Sequence, residues 1–75
     1  MHAYVQIALE NANEAEIKDK LKVLPEVRDV HILFGEWDLM AKLEIESPEQ
    51  LAAFVMENIR SIKGVKLTST LIVAK

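Results

Sequence analysis

The segment Ser47-Pro48-Glu49-Gln50 marks the start of a helix in the middle of this chain. Serine can cap the helix, proline suits a first turn that needs no N–H, and Gln50 completes a capping box. Apolar residues then recur at helical spacing: Leu51, Phe54, Val55, Ile59 and Ile62. Gly64 follows them, and glycine accepts the positive φ that often ends a helix. The sequence therefore predicts a helix between Ser47 and Gly64, with separate elements on either side.

Strands and one further helix occupy the rest of the chain. Four segments have the alternation or the β-branched content of strands: 2–9, 27–34, 39–46 and 65–74. A helix over about 13–24 begins at Asn13, a capping residue, and stops at Pro25. The order βαββαβ, with a hairpin between two right-handed βαβ halves, predicts an α+β ferredoxin-like fold. Its four-stranded antiparallel sheet carries both helices on one face, and residues 1–75 form one domain.

A chain of 75 residues without cysteine needs another source of stability, because its core is small and no disulfide can form. Two histidines are too few for a structural zinc, and 51% of the residues are apolar. On the second, third and fourth strands, both alternating sets of side chains are apolar. The sequence therefore does not decide which set on these strands faces the helices. The uncovered sheet face has these candidates: Tyr4, Ala8, Met40, Thr68, Thr70 and Ile72. Such a surface is too apolar for water, and we expect an obligate oligomer that dimerises through the sheet.

The charge of the chain excludes several classes of partner. A net charge of −3 argues against direct nucleic-acid binding, which requires a basic face. No apolar run approaches the ~18 residues of a membrane-spanning helix. The first residues, Met1-His2-Ala3-Tyr4, lack the features of a secretory signal. We therefore expect a soluble cytoplasmic protein that binds neither nucleic acid nor membrane.

Two segments carry polar groups that a ligand could use. The connection Gly35-Glu36-Trp37-Asp38 joins the hairpin strands and places the only tryptophan beside two carboxylates. Its local pattern favours a well-formed turn, in which glycine supplies a positive φ and Asp38 accepts a backbone N–H. Thr68-Ser69-Thr70 places three hydroxyls in a row, which favours an ordinary half-exposed strand. The alternative is a hydroxyl lining that holds a carboxylate, and neither segment alone is a specific motif.

Catalytic and cofactor motifs are absent from the sequence. There is no cysteine, no Gly-x-Ser-x-Gly and no glycine-rich phosphate loop. His2 and His31 could act as bases or ligands, but a lone histidine on a strand is usually a surface or packing residue. We predict a protein that is not an enzyme and holds no cofactor or metal. If it is an enzyme, His31, Trp37 and Asn58 are the obvious candidates.

Three segments together resemble one protein family. Leu24-Pro25-Glu26-Val27, the run Phe34-Gly35-Glu36-Trp37-Asp38-Leu39 and the run Thr68-Ser69-Thr70-Leu71-Ile72-Val73 look like its successive signatures. The family is that of the leucine-responsive regulatory protein (Lrp/AsnC), and the similar part is its effector-binding (RAM) domain. The resemblance covers essentially the whole chain. Full-length members carry an N-terminal helix-turn-helix DNA-binding domain, whereas strand one follows Met1 almost at once here, so we expect a stand-alone effector domain.

The resemblance implies an assembly and a ligand. Dimers form through the sheets and often associate as four dimers, and a small effector, usually an amino acid, binds between dimers near the hairpin loop. Gly35 and Asp38 match the family's Gly-x-x-Asp, and Trp37 stands where tyrosine or another aromatic is common. The implied effector-binding residues are Gly35, Glu36, Trp37, Asp38, Leu39, Thr68, Ser69 and Thr70. Asp38 either accepts the effector's ammonium or holds loop amides that bind its carboxylate.

The sequence thus predicts an amino-acid-sensing module that acts by altered assembly or by co-assembly with full-length Lrp/AsnC regulators. Two alternatives remain open at this point. One is a small cofactor-independent enzyme of the dimeric ferredoxin-like class, because a fold does not determine a function. The other is an assembly module without a ligand.

Overall fold

The computed structural model describes residues 1–75 and has the predicted order of elements. The elements are β1 (His2–Leu9), α1 (Glu14–Lys22), β2 (Val27–Ile32), β3 (Leu39–Glu44), α2 (Pro48–Phe54), a π-helical turn (Val55–Ile59) and β4 (Val65–Ile72). The strands form one antiparallel sheet in the order β2-β3-β1-β4. This topology confirms the predicted ferredoxin-like α+β fold. None of the helices combines the length and the apolar character that a membrane-spanning helix requires.

Side-chain caps begin both helices, as the sequence predicts. The Glu16 N–H donates to Asn13 Oδ1 at 3.1 Å, and the Gln50 N–H donates to Ser47 Oγ at 3.1 Å. Each bond satisfies one of the N–H groups that a helix start leaves without a partner. The second helix changes character after Phe54, because the Arg60 N–H donates to the carbonyl of Val55 at 2.8 Å. That i→i−5 bond defines a π-helical turn, which the apolar spacing does not predict.

Removal of the Ser47 hydroxyl tests the contribution of this cap. Ser47→Ala is expected to lower the free energy of unfolding by about 1 kcal/mol, because the Gln50 N–H loses its acceptor. Urea unfolding followed by circular dichroism measures the change. Ser61→Ala is the matched control, since the Ser61 hydroxyl donates to Glu57 O on the exposed surface and caps no helix start. An equal loss in both variants would contradict the capping role.

The core lies between the sheet and the helices and contains only hydrophobic residues. From the central strands it receives Ala3, Val5, Ile7, Leu39, Ala41 and Leu43, all fully buried. The helices contribute Ile17, Leu21, Leu51, Phe54, Val55 and Ile59. Cross-strand pairs align these residues, since Ala3, Val5 and Ile7 lie opposite Leu43, Ala41 and Leu39. The apolar set of β1 therefore faces the helices, as its alternation predicts.

The register of β4 corrects the prediction for the uncovered sheet face. Ile7 pairs with Thr68 and Val5 pairs with Thr70, so both threonines lie on the helix side together with Ile72. The cause is an irregularity between Ala8 and Leu9, where Leu9 pairs with Val65 and Ala8 with Leu67. The residue between Val65 and Leu67 is an extra residue that forms a β-bulge. After a bulge, each side chain of the strand lies on the opposite face of the sheet from the one that simple alternation predicts.

The uncovered face therefore differs in part from the predicted set. Tyr4, Ala8 and Met40 lie on it as predicted, but β4 contributes Leu67, Ser69 and Leu71 instead of Thr68, Thr70 and Ile72. Leu67 and Leu71 are 56% and 49% exposed in the single chain. The face is thus more apolar than predicted.

The hairpin between β2 and β3 has a longer loop than predicted. β2 ends at Ile32, so Leu33 and Phe34 belong to the loop, and the Phe34 side chain is fully exposed. β3 ends at Glu44 and β4 at Ile72, each two residues before the predicted end. The six-residue connection 33–38 places a large apolar side chain at its tip.

Candidate functional site

Asp38 closes the hairpin loop through one hydrogen bond and holds it on the end of β1 through two more. The Leu33 N–H donates to the Asp38 carbonyl at 2.8 Å and closes the loop. The Asp38 N–H donates to the Ile7 carbonyl at 2.9 Å. The Leu9 N–H donates to the Asp38 carboxylate at 2.7 Å. Since carboxylates form strong hydrogen bonds with backbone N–H groups, the side chain of Asp38 stabilises the loop in this structure.

The rest of the loop leaves its backbone donors free. The N–H groups of residues 34–37 donate no hydrogen bond within the chain. Gly35 has φ +152°, and no atom lies within 4 Å of the position that a Cβ would occupy there. Glycine adopts this backbone conformation without the strain that other residues incur. Four consecutive free donors beside open space can bind an anionic group such as a carboxylate.

An open groove borders the loop and extends to the start of α1. Its walls are Glu14, Ile32, Leu33, Phe34, Gly35 and Asp38. Glu36 is exposed and Trp37 is half-buried, whereas Leu39 is fully buried in the core. Leu39 therefore lies behind the loop and not on the groove. The sequence did not identify Glu14 as a site residue. An acidic residue in the first turn of a helix is already explained by its favourable interaction with the helix dipole.

The three hydroxyls of β4 do not form one lining. Thr68 and Thr70 lie on the helix side of the sheet, whereas Ser69 pairs with Gln6 and lies on the uncovered face. Leu39, Ile7 and Thr68 form one row across the sheet, so Thr68 lies two strands away from the end of the loop. Two strand spacings amount to about 10 Å. Within one chain the structure does not bring the β4 hydroxyls into the groove at the hairpin.

The residues named for an enzyme are dispersed. His31 Nε2 lies 3.1 Å from Asp29 Oδ2 on the exposed surface of β2. Asn58 lines a separate groove together with four glutamates, and Trp37 lies in the hairpin loop. No cavity contains two of these three residues. No group of three or more His, Cys, Asp and Glu side chains is arranged to hold a metal ion.

Curated relatives of this chain are transcription regulators of the helix-turn-helix (HTH) type. An uncharacterized HTH-type regulator of Pyrococcus furiosus is 36% identical over 59 residues, which make up 79% of this chain and 39% of that protein. The HTH-type regulator FL11 of the same organism is 32% identical over 73 residues, 97% of this chain and 48% of that protein. The chain thus spans less than half the length of these relatives.

An enzyme also shows a partial similarity. A homocitrate synthase of Sulfurisphaera tokodaii is 35% identical over 65 residues, which make up 87% of this chain. Those residues amount to only 14% of the enzyme. Most of the synthase therefore has no counterpart in this chain.

Solved structures share the whole fold. A hypothetical protein of Pyrococcus horikoshii has a TM-score of 0.89 and 31% identity, covering 99% of this chain and 89% of the other. AsnC of E. coli has a TM-score of 0.91 and 25% identity, covering 99% of this chain and 50% of the other. The family model described as the Lrp/AsnC ligand binding domain matches residues 2–75. These findings confirm the predicted resemblance, and the chain belongs to the Lrp/AsnC ligand-binding domain family.

Proposed function

We propose that this chain senses a small amino acid at its hairpin loop and transmits the bound state through its assembly with other chains. The observation that carries the proposal is the anchoring of Asp38, which holds the loop and leaves the N–H groups of 34–37 free. These donors suit the effector's carboxylate. Of the two roles open to Asp38, the proposal uses the loop-holding one.

The groove also offers partners for the rest of an amino acid. Glu14 lines the groove and Glu36 is exposed on the loop, so either carboxylate can accept the effector's ammonium. Ile32, Leu33 and Phe34 provide apolar surface for its side chain. A zwitterion with a small apolar side chain therefore matches the groove in charge and in polarity.

Assembly enters the proposal because the groove is open and Phe34 is fully exposed beside it. A second chain against this loop would cover Phe34 and enclose the effector. A ligand that contacts both chains favours the assembly that brings them together. A transcriptional regulator of Neisseria meningitidis with this fold, 22% identical and with a TM-score of 0.87, was solved as a complex with L-Met. The proposal includes dimers that form through the sheet, an assembly of four such dimers, and co-assembly with HTH-type regulators.

The proposal contains no catalytic step. HTH-type transcriptional regulators are similar to this chain over 79% and 97% of its length, and no cavity contains two of the residues His31, Trp37 and Asn58. The uncovered apolar face would also suit an assembly module without a ligand. Ligand binding at the loop distinguishes the two.

Thermal unfolding with a panel of amino acids at millimolar concentration tests the sensor. An effector at a hundred times its Kd is expected to stabilise the chain by ~2.7 kcal/mol. Each kcal/mol raises the Tm of a domain of this size by roughly 4–8 °C. In Asp38→Ala the shift should disappear, because the loop is no longer held on β1 and its N–H groups lose their common orientation.

The control is Asp29→Ala. Asp29 also accepts a backbone N–H, that of Val30 at 2.9 Å, but it lies in β2 outside the groove. Its loss should leave the effector-induced shift unchanged. A panel without any shift would refute the sensor and favour the ligand-free module. A shift that persists in Asp38→Ala would place the amino acid elsewhere.

A further inference from the structure

A second groove lies at the end of the sheet where β1 ends and β4 begins. The loop between β1 and α1 forms one wall, and the loop before β4 forms the other with the first residues of that strand. The volume of about 330 Å³ lies at the lower end of the range for small-molecule sites. The lining residues are Glu10, Asn11, Lys63, Gly64, Val65 and Lys66. The hairpin loop contributes none of them, so this groove is separate from the proposed effector site.

Direct contacts hold the two walls of this groove together. The Glu10 N–H donates to the Gly64 carbonyl at 2.8 Å. Gly64 lies so close to Ala12 that a Cβ built on it would be 2.5 Å from the Ala12 Cβ. Asn11 and Gly64 have positive φ values of 52° and 102°, which turn each loop sharply. The walls are therefore in place before a ligand binds, and this lowers the entropic cost of binding.

The groove presents backbone donors that the fold does not use. The N–H groups of Asn11, Lys63 and Gly64 donate no hydrogen bond within the chain. The last two are consecutive, and they lie in a turn that is closed by a bond from the Val65 N–H to the Ile62 carbonyl at 3.2 Å. Successive free N–H groups in a turn form concavities that bind anions.

Two lysines add positive charge beside these donors. Lys66 is the extra residue of the β-bulge and has no partner on β1. Bulges re-aim side chains, and here Lys66 lines the groove together with Lys63. Neither lysine forms an ion pair, since the two ion pairs of the chain involve His2 and His31. With Glu10 as the one acidic lining residue, the groove has a net charge of +1 (two lysines and one glutamate) in a chain whose net charge is −3.

We propose that this groove binds a phosphate dianion, either free or as the phosphate group of a sugar ester. Lys63 and Lys66 supply the positive charge, and the free N–H groups donate to the phosphate oxygens. A dianion gains about twice the attraction that a carboxylate gains from the same two ammonium groups. No aromatic residue lines the groove, so a nucleobase finds no surface for stacking. Glu10 opposes a bare phosphate but accepts hydrogen bonds from the hydroxyls of a sugar.

Titration of the ¹⁵N-labelled chain with glucose 6-phosphate, inorganic phosphate and glucose, followed by NMR and calorimetry, tests this site. At neutral pH the phosphate groups are largely dianions. The amide signals of Asn11, Lys63 and Gly64 are expected to shift with both phosphates and to stay in place with glucose, and those of residues 34–37 should not respond. Tighter binding of glucose 6-phosphate would identify a sugar ester as the ligand, and tighter binding of inorganic phosphate would identify the free ion.

Variants identify the groups responsible. Lys63→Gln and Lys66→Gln are each expected to weaken phosphate binding roughly fivefold, and together roughly twentyfold. The matched control combines Lys20→Gln with Lys22→Gln, which removes the same charge from the last turn of α1, where neither lysine lines a cavity. This control should keep the parent affinity. Glu10→Gln removes the one opposing charge and should tighten the binding of inorganic phosphate about fivefold.

Three results would overturn the proposal. They are the absence of any shift at millimolar concentrations of either phosphate, equal affinities of the two double variants, and a response confined to residues 34–37. The last would assign the phosphate to the hairpin loop. Asp38→Ala should leave phosphate binding unchanged, and failure at this groove alone leaves the sensor at the hairpin loop standing.

Discussion

Gly64→Ala is expected to lower the free energy of unfolding by about 2–5 kcal/mol, a large part of what a small domain has. Gly64 has φ +102°, and this conformation costs other residues roughly 1–2 kcal/mol. A Cβ built there lies 2.5 Å from the Cβ of Ala12, so the two segments must move apart. Overpacking of this kind costs roughly 1–3 kcal/mol. The Glu10 N–H donates to the Gly64 carbonyl at 2.8 Å, so the displacement also strains the start of β4.

Two companion variants separate the steric cost from the backbone cost. Ala12→Gly combined with Gly64→Ala removes the Cβ that the new methyl group meets, and should recover the steric part only. Gly35→Ala introduces a methyl group at φ +152° where no atom lies within 4 Å, so it carries backbone strain without a contact. Urea unfolding at fixed protein concentration measures all three. A double variant as unstable as Gly64→Ala would show that contact with Ala12 contributes nothing.

The elements that local chemistry determines were predictable from the sequence. Asn13 and Ser47 cap their helices by accepting hydrogen bonds from the N–H groups three positions later. Each cap therefore involves only four consecutive residues. β1 has one clearly apolar face, and that face is buried. The parity of β4 was not predictable, because it depends on a bulge opposite Ala8 and Leu9 that lies more than fifty residues away in sequence. A simple alternation of side chains, continued through the bulge, assigns the later residues of β4 to the wrong face of the sheet.

The candidate site was predictable in its residues but not in its geometry. Gly35 and Asp38 stand out as turn residues, yet the bond from the Leu9 N–H to Asp38 joins segments 29 positions apart. Leu39 was expected in the site and lies in the core, because the loop ends one residue before it.

Leu71→Lys is expected to raise the dissociation constant of the proposed sheet dimer more than a hundredfold. Leu71 is 49% exposed in the single chain and lies opposite Tyr4 on the uncovered face, which also carries Leu67 four positions earlier on the same strand. Burial of a leucine side chain contributes about 1.5–3 kcal/mol. A lysine in its place loses that contribution and adds the cost of desolvating an unpaired ammonium. Sedimentation equilibrium over a range of protein concentrations measures the change.

Val23→Lys is the matched control, because Val23 is 79% exposed just after α1 and lies away from the uncovered face. Its substitution makes the same chemical change and should leave the association unchanged. If the sheet face forms the dimer, the Tm of the parent chain rises with protein concentration, since only folded chains associate. In Leu71→Lys that dependence should weaken together with the affinity. Dissociation by Val23→Lys with an intact Leu71→Lys dimer would instead place the interface on the helix side of the sheet.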